Sequence, residues 1–317
     1  MKNIIKIIAI IVVLLLSGLA LVYLAFPGTL YNTGMKMARK SAGLTQKSIK
    51  VDSHTIQYLE GGKGENILLV HGFTGEKDNW TLFAKYLTPS FHVVALDLPG
   101  FGESSRIESE SYTIQDQANR LDRFADLVGL KTFHIAGNSM GGAIAAKYTV
   151  DHPEKVLTLG LFDNAGIWEC PEKSDLQKTL DQGGKNPLLS QTPEDFKESL
   201  KYVFVNPPPA PGRILEYIAK KQIAVKAFNE KVWKDVKEPD KIYQLEPDLT
   251  KIQNKTLILW GDTDRLISVS CTEILKKGLV NSQTVIMKNC GHVPMMERPK
   301  ETAVHYVNFL VSATPKP

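Results

Sequence analysis

The amino-acid sequence predicts an α/β fold, a mostly parallel central sheet flanked by helices and carrying a helical cap insertion. Three observations support this prediction. From about Ser48, short apolar runs alternate with longer helical patterns, as in chains built from β–α–β units. Runs such as Ile67–Val70 are apolar throughout, which is typical of parallel strands buried on both faces. Between Ile167 and Leu249 the alternation stops, and it resumes with a strand at Thr256.

The predicted strands are short and mainly apolar, and they lie at 56–59, 67–70, 91–96, 132–136, 156–162, 256–260 and 283–287. Helical patterns at 114–128 and 141–151 fit between them, and the second ends before Pro153, as helices commonly do. The stretch 167–249 holds further helical segments and the run Pro207–Pro209. A long loop without structure is uncommon in a compact domain. We therefore interpret this stretch as a cap, with a separate domain or a long irregular loop as the alternatives.

Composition limits the classes of function. The chain has 317 residues, 43% of them hydrophobic, and a net charge of +4, so it can bury a sizeable core. Its basic residues form no stripe with interleaved aromatics, which argues against nucleic acid as a partner. The three cysteines, Cys170, Cys271 and Cys290, have neither disulfide-framework nor metal-ligand spacing. We interpret them as buried or idle thiols, and we expect neither a metal nor a cofactor. The oligomeric state is not predicted.

The N-terminal segment is strongly apolar. Lys2 and Lys6 precede an uncharged run from Ile7 to Phe26, and about 20 helical residues span roughly 30 Å of hydrocarbon. This pattern predicts a single-pass N-terminal membrane anchor. The alternative is a signal peptide, cleaved near Gly18 and Ala20 to release a secreted protein. Further basic residues follow the run, so the positive-inside rule leaves the side of the membrane open.

These patterns together predict five segments. They are an anchor or signal peptide at 1–28, a basic juxtamembrane segment at 29–50, a core at 51–166, a helical cap at 167–249 and a second core part at 250–317. The basic segment could also hold the domain near anionic lipid headgroups.

The sharpest chemical signal is Gly137-Asn138-Ser139-Met140-Gly141, directly after one predicted strand and before a helix rich in small residues. In this setting a G-x-S-x-G motif forms a tight strand-to-helix turn that exposes the serine. The helix N-terminus below the turn favours developing negative charge. Ser139 is therefore the candidate nucleophile.

A serine nucleophile needs a base, and the base needs an orienting carboxylate. His292 follows the last predicted strand, where the base of such a site belongs. Asp264, after the next-to-last strand, is the preferred acid. Asp262 lies on the tighter part of the same turn, and Asp163 ends the strand after the nucleophile helix. Both remain alternatives for the acid.

The oxyanion of the reaction needs backbone N–H donors. One comes from the residue after the nucleophile, here Met140, and a second from an earlier loop. His71-Gly72-Phe73 follows an apolar strand, and the Phe73 N–H is the candidate. The alternative for this segment is a plain turn at the end of a strand.

Taken together, these residues resemble the α/β-hydrolase family over residues 50–312. In detail the chain is similar to membrane-anchored monoacylglycerol lipases and to related bacterial lipases, in which an apolar N-terminal anchor also occurs. The segments that carry this resemblance are Leu69–Phe73, Gly137–Gly142, Ser190–Glu194, Asn289–His292 and Met296–Pro299. Asn138 beside the nucleophile also looks like carbon–carbon bond hydrolases of ring-cleavage products.

The resemblance implies a serine hydrolase that cleaves carboxylic esters of lipids, with monoacylglycerols as expected substrates, through an acyl-enzyme intermediate. Membrane lipid is then an expected partner. Two alternatives stay open: a carbon–carbon bond hydrolase with the same triad, and a receptor-like protein that binds a small signal molecule. Epoxide hydrolase and dehalogenase chemistry is disfavoured, since it needs a carboxylate where Ser139 stands.

Overall fold

A computed structural model describes residues 2–237 and 243–313 of the chain. Within these residues it forms one eight-stranded sheet with the order β1-β2-β4-β3-β5-β6-β7-β8. Its strands are β1 Leu44–Val51, β2 His54–Gly61, β3 Asn66–Val70, β4 His92–Leu96, β5 Phe133–Asn138, β6 Val156–Phe162, β7 Lys255–Gly261 and β8 Ser282–Met287. The pairs β1–β2 and β2–β4 are antiparallel, and all other neighbours are parallel. The predicted fold class is confirmed.

Helices cover both faces of this sheet and the edge where its parallel strands end. They are α1 Lys2–Ala25, α2 Pro27–Ser41, α3 Thr81–Ala84, α4 Ile114–Leu127, α5 Met140–Asp151, α6 Asp175–Asp181, α7 Pro193–Val203, α8 Gly212–Ala224, α9 Lys226–Lys237, α10 Cys271–Gly278, α11 Pro294–Glu297 and α12 Pro299–Ala313. Short 3₁₀ turns span Lys77–Trp80 and Glu246–Lys251.

Strand β3 illustrates why the apolar runs are uninterrupted. Leu68 and Val70 belong to a core that includes side chains of α4 and α5. Ile67 and Leu69 belong to a second core, which α12 helps to form. Since successive side chains of a strand point to opposite faces, both sets must be apolar when both faces are covered.

Four helices, α6 to α9, lie between β6 and β7 among the described residues of the stretch that the sequence predicts to be a cap. Helix α7 begins with a capping box. The Thr192 hydroxyl accepts a hydrogen bond from the Asp195 N–H at 3.1 Å, and the Asp195 carboxylate accepts from the Thr192 N–H at 3.0 Å. Pro193 occupies the first helical position, where its missing N–H has no cost. The division of the chain into five segments stays a prediction.

The N-terminal prediction needs correction. A membrane-spanning helix requires about 20 mainly apolar residues in succession. Across the described ranges, 2–237 and 243–313, no helix combines the length and apolar character needed to cross a membrane. The predicted localisation as a single-pass membrane protein is therefore wrong.

The segment predicted to be a basic juxtamembrane stretch forms helix α2 and strand β1. Sequence analysis predicted no strand here, because only the two terminal residues of β1, Leu44 and Val51, are buried. An edge strand of this kind lacks the apolar alternation that marks a half-buried strand. Several of the basic side chains have acidic partners, among them Lys47, which lies 2.7 Å from the Glu60 carboxylate.

Two of the three cysteines differ from the prediction. Cys170 and Cys271 form a disulfide with their Cα atoms 4.5 Å apart, whereas Cys290 is a buried free thiol. The two bonded residues are 101 positions apart in sequence, so local spacing gives no sign of the bond. It ties the beginning of the insertion after β6 to the first residue of α10.

Candidate active site

Ser139 lies in the turn between β5 and α5. Its backbone adopts φ +56°, a left-handed conformation that residues other than glycine seldom adopt. The Ser139 N–H donates to the Phe162 carbonyl at 3.0 Å, which anchors the turn to β6. The sequence-predicted strand–turn–helix around Ser139 is therefore present.

The flanking glycines are required by close packing. A Cβ on Gly137 would overlap the Gly141 carbonyl, and a Cβ on Gly141 would overlap the Val70 carbonyl. Both overlaps are with backbone, so they cannot be relieved by rotation of a side chain. The two glycines thus let β5, α5 and β3 meet directly behind Ser139.

His292 and Asp264 form a buried pair. The His292 Nδ1 atom lies 2.7 Å from Asp264 Oδ2, and the residues are 4% and 9% exposed. The second oxygen, Oδ1, accepts from the N–H groups of Leu266 and Ile267 at 2.8 and 3.1 Å. Since the Nδ1–H donates to Asp264, the Nε2 atom is the one left to accept a proton.

The two alternative acids occupy different environments. Asp262 contacts the Thr263 hydroxyl at 2.9 Å and lies 3.6 Å from the Lys288 ammonium, outside the pair. Asp163 is fully buried and close to the pair, because one polar atom from each of Asp163, Asp264 and His292 lies within 4.8 Å of the others. The structure therefore brings Asp264 into contact with the histidine and Asp163 next to both.

The loop after β3 is fixed by His71. Its Nε2 accepts from the Leu98 N–H at 3.0 Å, so its Nδ1 carries the proton and donates to the Gly72 carbonyl at 2.8 Å. Burial lowers the pKa of His71 to about 4, which keeps the ring neutral at physiological pH. Sequence analysis assigned no such role to this side chain.

The two candidate oxyanion donors remain available. Within residues 2–237 and 243–313, neither the Phe73 N–H nor the Met140 N–H donates to another group of the chain. Both residues and Ser139 line the same cavity. This arrangement offers two unsatisfied donors close to the serine.

Val203 and Glu297, to which sequence analysis assigned no function, form hydrogen bonds with the loop that carries His292. The His292 N–H donates to the Val203 carbonyl at the end of α7, 2.9 Å away. Glu297 accepts from the Gly291 N–H at 3.0 Å and from the Asn206 N–H at 2.8 Å. The insertion is therefore hydrogen-bonded to the candidate base. Glu297 lies in the Met296–Pro299 segment, which sequence analysis noted only as part of a resemblance.

Asn138, adjacent to the serine, is also a structural contact. Its side-chain amide donates to the carbonyls of Phe162 at 3.1 Å and His292 at 2.9 Å. The Asn138 side chain thus holds the histidine loop against β6. It is the same side chain that prompted the comparison with carbon–carbon hydrolases.

Helix α2 contacts the loop that follows Phe73. The Tyr31 hydroxyl donates to Glu76 at 3.1 Å, and the Arg39 guanidinium pairs with Asp78, with Nε 2.7 Å from Oδ1. These contacts join residues 45 and 39 positions apart. No local pattern in the sequence could have indicated them.

Two cavities meet at Ser139. The inner cavity, about 180 Å³, lies between the core and the first and last parts of the insertion. Its lining residues include Phe73, Ser139, Met140, Trp168, Leu180, Trp233, Lys237 and the disulfide partners Cys170 and Cys271.

One cation interrupts the apolar wall of the inner cavity. The Lys237 ammonium lies 3.8 Å from the ring centroid of Trp168 and 5.3 Å from that of Trp233. Burial lowers the pKa of Lys237 to about 8, so it is mainly protonated at neutral pH.

The outer cavity is larger, about 550 Å³, and includes both Ser139 and His292 in its lining. Its walls are mainly apolar residues of α2, α7 and α8 together with the segment Pro207–Pro211. Ile214 of α8 and Leu200 of α7 line it. An elongated apolar ligand can therefore extend from the serine toward the surface.

The chain is similar in sequence and in structure to known hydrolases and lipases. Residues 65–193 match the alpha/beta hydrolase fold family. Lipase 3 of Moraxella sp. (strain TA144) is 35% identical over 292 residues, which cover 89% of this chain and 91% of that protein. Monoacylglycerol lipase ABHD6 of Bos taurus is 30% identical over 300 residues, with coverage of 92% and 89%. The crystal structure of a membrane phospholipase A, described as a bacterial virulence factor, superimposes with a TM-score of 0.89, at 46% identity and coverage of 97% and 99%.

Proposed function

Since this chain belongs to the alpha/beta hydrolase fold family, we propose that it is a serine hydrolase that cleaves carboxylic esters of lipids, monoacylglycerols among them. The observation that carries the proposal is the pairing of His292 with Asp264 at 2.7 Å beside a mainly apolar cavity that also contains Ser139. Relatives named lipase and monoacylglycerol lipase support the substrate class.

In the proposed mechanism, Ser139 Oγ attacks the ester carbonyl while His292 Nε2 takes its proton. Asp264 holds the imidazole in the required tautomer and stabilises the imidazolium that forms. The N–H groups of Phe73 and Met140 donate to the oxyanion of the tetrahedral intermediate. His292 then returns the proton to the leaving alcohol, and an acyl-enzyme remains on Ser139.

Deacylation repeats these steps with water as the nucleophile. His292 activates the water, the same N–H pair stabilises the second oxyanion, and the fatty acid leaves. The mainly apolar outer cavity accommodates the acyl chain, because burying each methylene contributes about 0.8 kcal/mol. Membrane lipid as a partner stays a prediction from the sequence.

The test is turnover of purified protein on a panel of esters that share a head group and differ in acyl length. We expect hydrolysis of short acyl esters and of monoacylglycerols, with loss of several orders of magnitude in Ser139→Ala. Thr263→Ala, on the turn beside Asp264, serves as a folded control. Near-normal rates in a folded Ser139→Ala variant would refute the proposed nucleophile.

The same panel separates the alternatives. A receptor-like protein would bind the esters with negligible turnover, whereas a carbon–carbon hydrolase would prefer a ring-cleavage product over every ester. Asn138, the residue that suggested the second alternative, donates to two backbone carbonyls. These hydrogen bonds explain the presence of Asn138 by its structural role, whatever the substrate is.

A further inference from the structure

Asp163 is a buried acid that the proposed mechanism does not use. It follows β6 with φ +46° and no solvent exposure. Its Oδ1 accepts from the Gly261 N–H at 2.9 Å. Its second oxygen, Oδ2, has no hydrogen-bond partner within the described ranges. A buried carboxyl oxygen without a donor is costly if charged, so this oxygen needs an explanation.

The neighbours of Asp163 provide one. Asp264 receives three donors, from His292 and from the N–H groups of Leu266 and Ile267, whereas Asp163 receives only the Gly261 N–H. The polar atoms of Asp163, Asp264 and His292 lie within 4.8 Å of one another. Two carboxyl groups this close and this buried do not both ionise, and the one with fewer donors keeps the proton.

The electrostatics agree with this geometry. Burial, and then the charge of Asp264, raise the pKa of Asp163 well above its usual value. Two other titratable groups face this site. Burial raises the pKa of the Cys290 thiol, which stays neutral, and Glu297 bonds to backbone N–H groups of residues 205, 206 and 291.

We propose that Asp163 is a positioning residue that remains protonated and donates its carboxyl O–H to Asp264. This inference rests on the proposed function of Ser139, His292 and Asp264. The donated hydrogen bond spreads the negative charge of Asp264 and so weakens its stabilisation of the His292 imidazolium. Asp163 thereby keeps His292 available as a neutral base at lower pH than an Asp–His pair alone would allow.

The experiment compares Asp163→Asn with Asp163→Ala. The asparagine amide can donate to Asp264 through Nδ2 and accept from Gly261 through its oxygen, and both asparagine and aspartate tolerate positive φ. We expect the acidic midpoint of kcat/KM against pH, on a soluble short-chain ester, to stay in place in Asp163→Asn. In Asp163→Ala the lost donor strengthens the stabilisation of the imidazolium, and the midpoint should rise by about one pH unit.

The direction of the shift separates the outcomes. If Asp163 were ionised, Asp163→Asn would remove a negative charge beside His292 and the midpoint would fall to lower pH. That result overturns the proposal. An unchanged midpoint in both variants overturns it as well, because Asp163 would then have no influence on the pair.

A second measurement does not depend on turnover. The infrared spectrum of the wild-type protein at neutral pH should contain a protonated-carboxyl C=O band that is absent from Asp163→Asn. Absence of the band in the wild type refutes the proposed proton even where Asp163→Ala fails to fold. If the band is present but the protein hydrolyses no ester, Asp163 is protonated as proposed and the proposed function is wrong. Failure of this inference and failure of the proposed function therefore give different results.

Discussion

The inner and outer cavities share Ser139 but differ in volume and in the residues that line them. The inner cavity, about 180 Å³, has tryptophan walls, a single lysine and a disulfide. The outer cavity, about 550 Å³, lies among α2, α7 and α8 and a proline-rich segment. The small cavity thus has the features that discriminate between chemical groups, whereas the large one has the volume and apolar lining for a chain. From this comparison we predict that the inner cavity takes the head group of the proposed substrate and the outer cavity its acyl chain.

The largest expected effect concerns Asp264, because the proposed chemistry at Ser139 depends on the pairing of Asp264 with His292. Asp264→Asn should lower kcat about 10⁴-fold, because the amide permits the wrong histidine tautomer and does not stabilise the imidazolium. Steady-state kinetics should find the same loss for short and long esters. Asp262→Asn, two positions earlier, is the matched control and should retain most activity. A reversed ranking of the two variants would move the acid to Asp262.

The next prediction separates the cavities. Ile214→Trp narrows the outer cavity and should lower kcat/KM for long-chain esters by about 10- to 100-fold, as two or three methylenes lose about 0.8 kcal/mol each. Hydrolysis of a butyrate ester should change little. Leu180→Trp, which narrows only the inner cavity, is the control. If Leu180→Trp is instead the variant that shortens the preferred chain, the assignment of the cavities is inverted.

A smaller effect should follow from the lysine of the inner cavity. With a pKa of about 8, Lys237 is protonated below this pH and loses its charge above it. Because a protonated Lys237 attracts a negatively charged phosphate, we expect a lysophospholipid to be preferred over a monoacylglycerol of equal chain length. This preference should decline as the pH rises through about 8. Lys237→Met should reduce the preference several-fold at pH 7 and make it independent of pH. The same pH dependence in Lys237→Met would exclude Lys237 as its source.

The disulfide should affect stability more than chemistry. Cys170→Ser opens a bond that closes a loop across 101 residues, and we expect the free energy of unfolding to fall by about 2–4 kcal/mol. Denaturant titration measures this change, and short-ester turnover of the folded protein should be largely retained. Reductant should destabilise the wild type and leave Cys170→Ser unaffected. Equal sensitivity of both proteins would indicate that Cys170–Cys271 does not stabilise the fold.

Sequence analysis predicted the positions of those candidate site residues that follow directly from local patterns. The strands buried on both faces are continuous apolar runs, and Ser139, Asp264 and His292 each follow a predicted strand. Parallel strands bring these loops to one edge of the sheet. For this reason the three positions could be predicted without knowledge of their distances.

The remaining features depend on contacts between distant segments. The bond between Cys170 and Cys271 and the pairing of Arg39 with Asp78 join residues that no periodic pattern connects. Strand β1 was missed because most of its side chains are solvent-exposed. The proximity of Asp163 to Asp264 arises because they follow the neighbouring strands β6 and β7, and only the packed structure reveals that they compete for a proton.

The hydrogen bonds between the insertion and the His292 loop limit which parts of the insertion can change during evolution. A cap that contacted only the substrate could be replaced by the cap of a relative without disturbing the rest of the site. Here Val203 accepts from the His292 N–H, and Glu297 links Gly291 to Asn206. A chimaera that replaces the whole insertion would therefore lose hydrogen bonds that hold His292, the proposed base. Recombination that retains residues 203–206 and exchanges only the more N-terminal helices would change ligand preference while the histidine loop keeps its backbone partners.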